Sequence, residues 1–264
     1  MKKRIIGAIL ILAICIPILW IGGMPFIVAC GIMGAFALKE LMELNEHHKK
    51  IPTIMFIGSI IALSLLVYWR SISYLISLEL NPGLVAVTFL FLFLPSLFYK
   101  EEKYTTHEAI YLFGSILFLS LFCKSLIFLR MKNVWILVYL IFIAIFTDTF
   151  AYLIGKAIGH YKCSPIISPN KTWEGCIGGS IMGILISTLF YLFMIGDLSI
   201  PKLLLISTLL SVVGQLGDLV FSKIKRENKI KDFSHIIPGH GGILDRVDSL
   251  VFIVLGYIVL IGLM

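Results

Sequence analysis

Apolar residues run through this chain in long blocks, and polar residues come in short runs between them. Nine blocks of 16 to 21 residues stand out, at 5–22, 24–42, 53–69, 83–98, 109–129, 134–154, 175–195, 201–221 and 247–263. An α-helix needs about 20 mostly apolar residues to cross a bilayer. The pattern therefore predicts an all-α polytopic membrane protein of about nine transmembrane helices. The stretch 70–82 breaks the rhythm with Arg70, Glu79 and Asn81-Pro82-Gly83, and reads as a loop with an interfacial piece. No internal repeat or low-complexity tract is visible.

Composition sharpens this. Of 264 residues, 59% are hydrophobic and 14% charged, against about 25% charged in soluble domains. An ordinary soluble protein and a disordered chain are both excluded. Nine crossings use about 180 residues, which leaves no room for a separate soluble catalytic domain. The net charge of +7 reads first as topology. With the N-terminus cytoplasmic, segments 1–4, 39–52, 99–108, 155–174 and 222–246 hold 17 Lys and Arg, against 4 outside. The positive-inside rule favours that orientation. Met1-Lys2-Lys3-Arg4 then reads as the cytoplasmic end of a retained first span rather than a cleaved signal. The five cysteines show no metal-ligand spacing and read as structural. Spans before residue 100 carry almost no ionisable groups. The expected division is thus a supporting bundle over 1–100 and a catalytic region over 101–264 with cytoplasmic loops 155–174 and 222–246.

Ionisable groups in a span cost about 2.5–3.5 kcal/mol on insertion scales and point to function. Asp148 lies in the sixth block, Asp218 near the inner end of the eighth, and Asp245 and Asp248 open the ninth. All four fall at the expected cytoplasmic edge of the membrane. Asp245 and Asp248 are spaced i,i+3, as are Gln215 and Asp218, so each pair shares a helix face. Gly214 and Gly217 would let a neighbouring helix or a phosphate approach closely. Converging carboxylates suit Mg²⁺, which commonly takes one or two of them plus substrate phosphates. The plain alternative is internal salt bridges to Arg246, Lys223 or Lys225. Lys124, in the fifth block, is expected to snorkel to the interface, and Glu174 to be a helix-start acid.

Two basic loops adjoin these acids. After Asp218 comes a Lys/Arg cluster over 222–232, which alone would suit anionic lipid. It leads through Ile237-Pro238-Gly239-His240-Gly241-Gly242 into the helix that begins near Asp245. Backbone N–H groups in such a turn, ahead of a helix N-terminus, can hold phosphate. In the other loop two Ser-Pro turns bring Lys171 and Thr172 to the start of the seventh span, with Trp173 as an interface anchor.

The stretch Ser222 to Asp248 resembles the signature of phosphatidate cytidylyltransferases, also called CDP-diacylglycerol synthases. Its fixed positions are met by Ser222, Lys225, Arg226, Lys231, Asp232, Pro238, His240, Gly241, Gly242, Asp245, Arg246 and Asp248. Ser168 to Gly175 resembles a second family loop, and Asp148-Thr149-Phe150-Ala151-Tyr152 a third element. There the family often continues Gly-Arg, where this chain has Gly155-Lys156. The resemblance covers residues 145–250. It implies transfer of the cytidylyl group of CTP to phosphatidate, giving CDP-diacylglycerol and pyrophosphate, with Mg²⁺, at the cytoplasmic face of a cell inner membrane, by a homodimer. Nucleic acid is not an expected partner. On this reading Asp218 and Asp245 hold the metal, with Asp248 a third ligand or just behind. Lys225, Arg226 and Lys231 bind triphosphate or lipid phosphate, helped by Lys171 and Arg246. Ser222, Thr172, Gly241 and Gly242 contact substrate, and His240 orients a phosphate or assists the departing pyrophosphate. Asp148 is a secondary candidate.

The chemistry fits such a site without a Ser/His/Asp triad. A lipid phosphate is already ionised near neutral pH, so the obstacle is bringing two polyanions together. The competing readings are another CTP-dependent lipid enzyme, such as a polyprenol kinase or a cytidylyltransferase for a different lipid, and a cation-coupled transporter. A transporter would more often place its acids near the midplane between broken helices.

Overall fold

The computed structural model describes residues 13–46, 51–71, 78–100, 103–236 and 241–262. Each of the nine apolar blocks is helical over most of its described residues. The helices are α1 (13–21), α2 (Gly23–Glu46), α3 (Thr53–Tyr68), α4 (Pro82–Phe93, running on as a 3-10 turn over Leu94–Leu97), α5 (Thr106–Lys132), α6 (Val134–Ile158), α7 (Trp173–Met194), α8 (Ile200–Glu227) and α9 (Leu244–Gly262). Among the described residues α5, α6, α7, α8 and the Gly23–Leu44 part of α2 are long and apolar enough to cross a membrane, while α3 and α4 with its 3-10 turn are shorter. The chain is a multi-pass membrane protein. The basic start at residues 1–4 and the centre of the 70–82 stretch lie outside the described residues.

One element departs from the all-α expectation. The loop with the Ser-Pro turns folds as an antiparallel hairpin of β1 (Lys162–Ser164) and β2 (Ser168–Thr172), with Lys162 opposite Thr172. Glu174 fixes its base, since its carboxylate accepts from the N–H groups of His160 and Tyr161.

The chain packs as two compact units, residues 1–131 with 232–245, and residues 132–231 with 246–264. In the first, Gly31 leaves room for the Tyr68 ring, Gly34 for Leu63 and Cys123, and Gly58 for the Phe91 ring. Lys124 does not snorkel. It is only 2% exposed, and Nζ donates to the carbonyls of Trp69 at 3.3 Å and Glu79 at 2.7 Å. Those carbonyls lie past the last turn of α3 and before α4, where no helical N–H reaches them. A nearby backbone acceptor outweighs the pull of the interface. Arg130 does the same at the end of α1, donating to Leu19 and Trp20 just before the turn at Gly22, whose φ is +66°.

The second unit is built on small residues. Gly175, Gly179 and Gly183 recur one turn apart on α7 and bring it against the backbone of α6. A Cβ at Gly179 would lie 2.6 Å from the Thr147 carbonyl, and one at Gly175 2.9 Å from Gly155 Cα. Other faces of α7 expose Ile177, Ile181, Leu185 and Leu189. Small residues inward and large ones outward is the packing logic of helices in lipid, where close approach rather than hydrophobic burial drives association. Gly214 and Gly217 on α8 meet Ile253 and Phe252 of α9, so their neighbour here is a helix.

Hydroxyl groups cross-link these helices. Ser207 on α8 bonds Tyr139 of α6 at 2.7 Å and Thr188 of α7 at 3.2 Å. One turn on, Ser211 bonds Thr147 at 3.1 Å and donates to Ser180 at 3.0 Å. A further turn on, the Gln215 amide donates to Ser180 and to the Cys176 carbonyl at 2.7 and 3.1 Å.

Overpacking the α6–α7 seam should therefore be expensive. Gly179→Leu is expected to destabilise the detergent-solubilised protein by about 1–3 kcal/mol or more, read as a lower apparent Tm. Gly114→Ala is the control, because nothing lies within 4 Å of a Cβ there. It should be neutral, or stabilising by up to about 1 kcal/mol from helix propensity.

Candidate active site

The chemistry-bearing residues of the second unit gather around the N-terminus of α7 and the C-terminal part of α8. Thr172 caps α7: its buried hydroxyl accepts from Gly175 N–H. The cap uses Thr172 as an acceptor, while the role expected from the sequence is that of a donor. The residue before it, Lys171, is carried on β2 and places Nζ 2.5 Å from Asp218 Oδ2. That contact is an ion pair rather than an aligned hydrogen bond, and Nζ is buried.

From Asp218 the face of α8 continues through Ser222 and Lys225, at helical spacings of four and three. Ser222 Oγ donates to Asp218 Oδ1 at 3.4 Å. Lys225, 8% exposed, has Nζ 4.0 Å from Asp248 Oδ2. Asp248 Oδ1 accepts from Ser249 N–H, and the Ser249 hydroxyl donates to Asp148 Oδ2 at 2.7 Å. The carboxylates of Asp148, Asp218 and Asp248 lie close enough to act on one another electrostatically, with Lys171 and Lys225 as counter-charges. Of the salt-bridge partners expected for these acids, Lys225 is found. Lys171 is the one not foreseen.

Other expected residues are placed differently. Arg226 donates through Nε to the Ile167 carbonyl at 3.3 Å and through Nη1 to that of Ile230 at 3.1 Å. Its guanidinium clasps the hairpin loop to the end of α8 through two of its five N–H groups. Lys231 and Arg246 are exposed. His240 lies outside the described residues.

The Gly-rich turn belongs to the first unit. Gly241 has φ +81°, a conformation that glycine adopts without strain. Asp245 Oδ2 accepts from the N–H groups of Phe233 at 2.8 Å and Gly242 at 2.9 Å. Glu40, on α2 and fully buried, takes the next two. Its Oε1 accepts from Ile243 N–H at 2.8 Å and Ser234 Oγ at 2.7 Å, and its Oε2 from Leu244 N–H at 2.9 Å. The N–H groups of Gly242, Ile243 and Leu244, expected to cradle phosphate, are thus held by carboxylates of the chain itself. A side chain at Gly242 would collide with Glu40.

Sequence reasoning misses two of these residues. Glu40 sits at the polar end of an apolar block, where an acid usually marks a solvated flank. Its one signal is the apolar setting Ala37-Leu38-Lys39-Glu40-Leu41-Met42. Ser249 follows Asp248, and nothing in its neighbours points to Asp148.

Among the described residues no group of three or more His, Cys, Asp or Glu side chains is disposed to hold a metal ion. Asp218 and Asp248, each turned to a lysine, fit the mode in which Mg²⁺ takes one or two carboxylates and completes its shell with water and substrate phosphates.

The chain is similar to known proteins along nearly its whole length. The model of the Cytidylyltransferase family matches residues 2–264. The chain is 35% identical over 253 residues, 96% of each protein, to a protein named phosphatidate cytidylyltransferase from Staphylococcus haemolyticus. It is 34% identical, with the same coverage, to proteins of that name from Staphylococcus epidermidis and Staphylococcus aureus. With a match along nearly the whole chain, the protein is a nucleotidyltransferase and belongs to the cytidylyltransferase family.

Proposed function

We propose that this protein transfers the cytidylyl group of CTP to phosphatidate, releasing pyrophosphate and forming CDP-diacylglycerol. The observation that carries this is the cluster of Lys171, Asp218, Lys225 and Asp248, two little-exposed lysines set against two carboxylates within one unit. In the reaction a phosphatidate oxygen forms a bond to the α-phosphorus of CTP, and the bond from that phosphorus to the bridging oxygen breaks. The electron pair leaves with pyrophosphate. The attacking oxygen is already ionised, so the protein's task is to gather charge and fix the line of attack.

Lys171 and Lys225 are the groups that neutralise the phosphates. Each is held by an aspartate and is thereby pre-positioned, and a phosphate can enter without a long lysine chain being ordered at that moment. Asp218 and Asp248 would hold Mg²⁺, with Asp245, three residues before Asp248 on α9, as the further sequence candidate. The ion, when bound, neutralises phosphate charge as it develops. Ser222 and Ser249 keep the carboxylates oriented, while Arg226 and Glu174 hold the hairpin that carries Lys171. Lys231 is an exposed cation for an incoming triphosphate or headgroup, and Arg246 is a second exposed cation of the same signature.

The finer topology belongs to the same reading: about nine crossings, N-terminus and site on the cytoplasmic side of an inner membrane, supported by the 17 to 4 distribution of Lys and Arg. A homodimer is implied by the resemblance.

Three outcomes test this. Purified protein given CTP, Mg²⁺ and phosphatidate should place label from the α-phosphate, and none from the γ-phosphate, into lipid. Lipid labelled from the γ-phosphate alone would make it a kinase. Lys171→Met and Asp218→Asn should each lower kcat/KM by about 100-fold or more, the scale of losing one preorganised electrostatic contact; near-normal turnover in both would sink the cluster as the site. EDTA should abolish transfer and Mg²⁺ restore it, with Asp248→Asn raising the half-saturating Mg²⁺ by about tenfold or more.

A further inference from the structure

A fully buried acid on α2 lies 194 to 204 residues away in sequence from its three hydrogen-bond donors. Glu40 accepts from Ser234 Oγ, Ile243 N–H and Leu244 N–H, so both its oxygens are engaged by one short segment of chain. Two of the donors are the backbone groups that end the Gly-rich turn and begin α9. A helix N-terminus carries unpaired N–H groups and a partial positive charge. Glu40 supplies that anion from a distant part of the chain. Asp245 holds the same turn from the other end, through Phe233 and Gly242. The two carboxylates together account for three consecutive N–H groups, those of residues 242, 243 and 244.

Two further features show that the turn is shaped for Glu40. Position 242 has room for the carboxylate only without a Cβ. Leu244 is fully buried, so its N–H has no access to water as a substitute. The carboxylate is therefore the partner that this turn is folded around.

We propose that Glu40 is a positioning residue for the cytidylyl-transfer reaction, fixing the turn 241–244 and with it Asp245. The proposal rests on the function proposed above. Glu40 touches no substrate and acts through the turn. The N-terminal part of the chain then does more than support the catalytic part, because it holds a signature turn in its working form.

The substitutions differ in what they remove. Glu40→Gln keeps the shape but turns one acceptor oxygen into an N–H₂ group facing an N–H donor. Glu40→Ala removes all three bonds. Ser234→Ala removes only the side-chain bond and leaves both backbone bonds. Two measurements on the full chain in detergent decide the matter. The first is amide hydrogen exchange over 241–246. Exchange should rise at least tenfold in Glu40→Gln and more in Glu40→Ala, with Ser234→Ala near wild type and the α6–α7 region unchanged. The second is kcat per folded molecule, with KM for CTP measured alongside. In Glu40→Gln kcat should fall at least tenfold while KM changes less than threefold, because the phosphate-facing lysines are untouched. A residue of purely structural importance would reduce folded yield and leave the folded fraction turning over normally. The proposal is overturned if exchange over 241–246 is unchanged in both Glu40 variants, or if kcat per folded molecule stays within twofold of wild type. If the unsubstituted protein transfers no label from CTP to phosphatidate, the functional reading fails by itself, and the exchange measurement still decides whether Glu40 anchors the turn.

Discussion

In an apolar medium every backbone N–H and carbonyl needs a partner within the protein, because none is supplied by solvent and each one left unpaired costs several kcal/mol. Regular helices meet that demand along their length and fail at their ends. Several charged residues among those described are placed where helices fail. Lys124 closes carbonyls beyond α3 and before α4, and Arg130 closes those at the end of α1. Glu40 and Asp245 close the N–H groups at the start of α9, and Arg226 closes the Ile230 carbonyl beyond α8 and that of Ile167 in the hairpin loop. In these contacts cations go to carbonyls and acids to N–H groups, so each charge meets a matching dipole.

Against that background the second-unit cluster is of a different kind. Lys171 faces Asp218, Lys225 faces Asp248, and Asp148 is joined through Ser249. Here charge meets charge. Buried ion pairs seldom repay their desolvation when compared with apolar packing of similar volume. Maintaining several in one place makes sense when the arrangement must later accept a more highly charged guest. Separating charges that serve the backbone from charges that face each other is thus a means of telling structure from chemistry within a membrane protein.

The helices were legible because run length alone marks them: each apolar block is helical over most of its described residues. The hairpin over 162–172 was not. Its strand residues, Ser168-Pro169-Asn170-Lys171-Thr172, are turn formers by type, and a tertiary setting holds them extended. The acids of the cluster could be read from the cost of charge in apolar blocks, and Lys225 from its place in the basic run after Asp218. Lys171 could be found as a candidate but not as the partner of Asp218, since pairing across 47 residues depends on how the hairpin docks. Glu40 was least legible. Its meaning lies in N–H groups, which every residue but proline has, so no side-chain pattern announces them.

The hydroxyl cross-links of α6, α7 and α8 carry a last consequence. Ser207, Ser211 and Gln215 are rungs spaced one turn apart, and each engages a fixed counterpart on the neighbouring helices. A helix keyed in this way cannot slide along its axis without breaking several rungs together. The bottom rung, Gln215 to Cys176, lies three residues before Asp218 and five after Lys171. The rungs therefore act as a ruler that sets the height at which those two side chains meet. In an enzyme whose substrates differ so sharply in their affinity for water, that height decides which molecules can arrive at the same point.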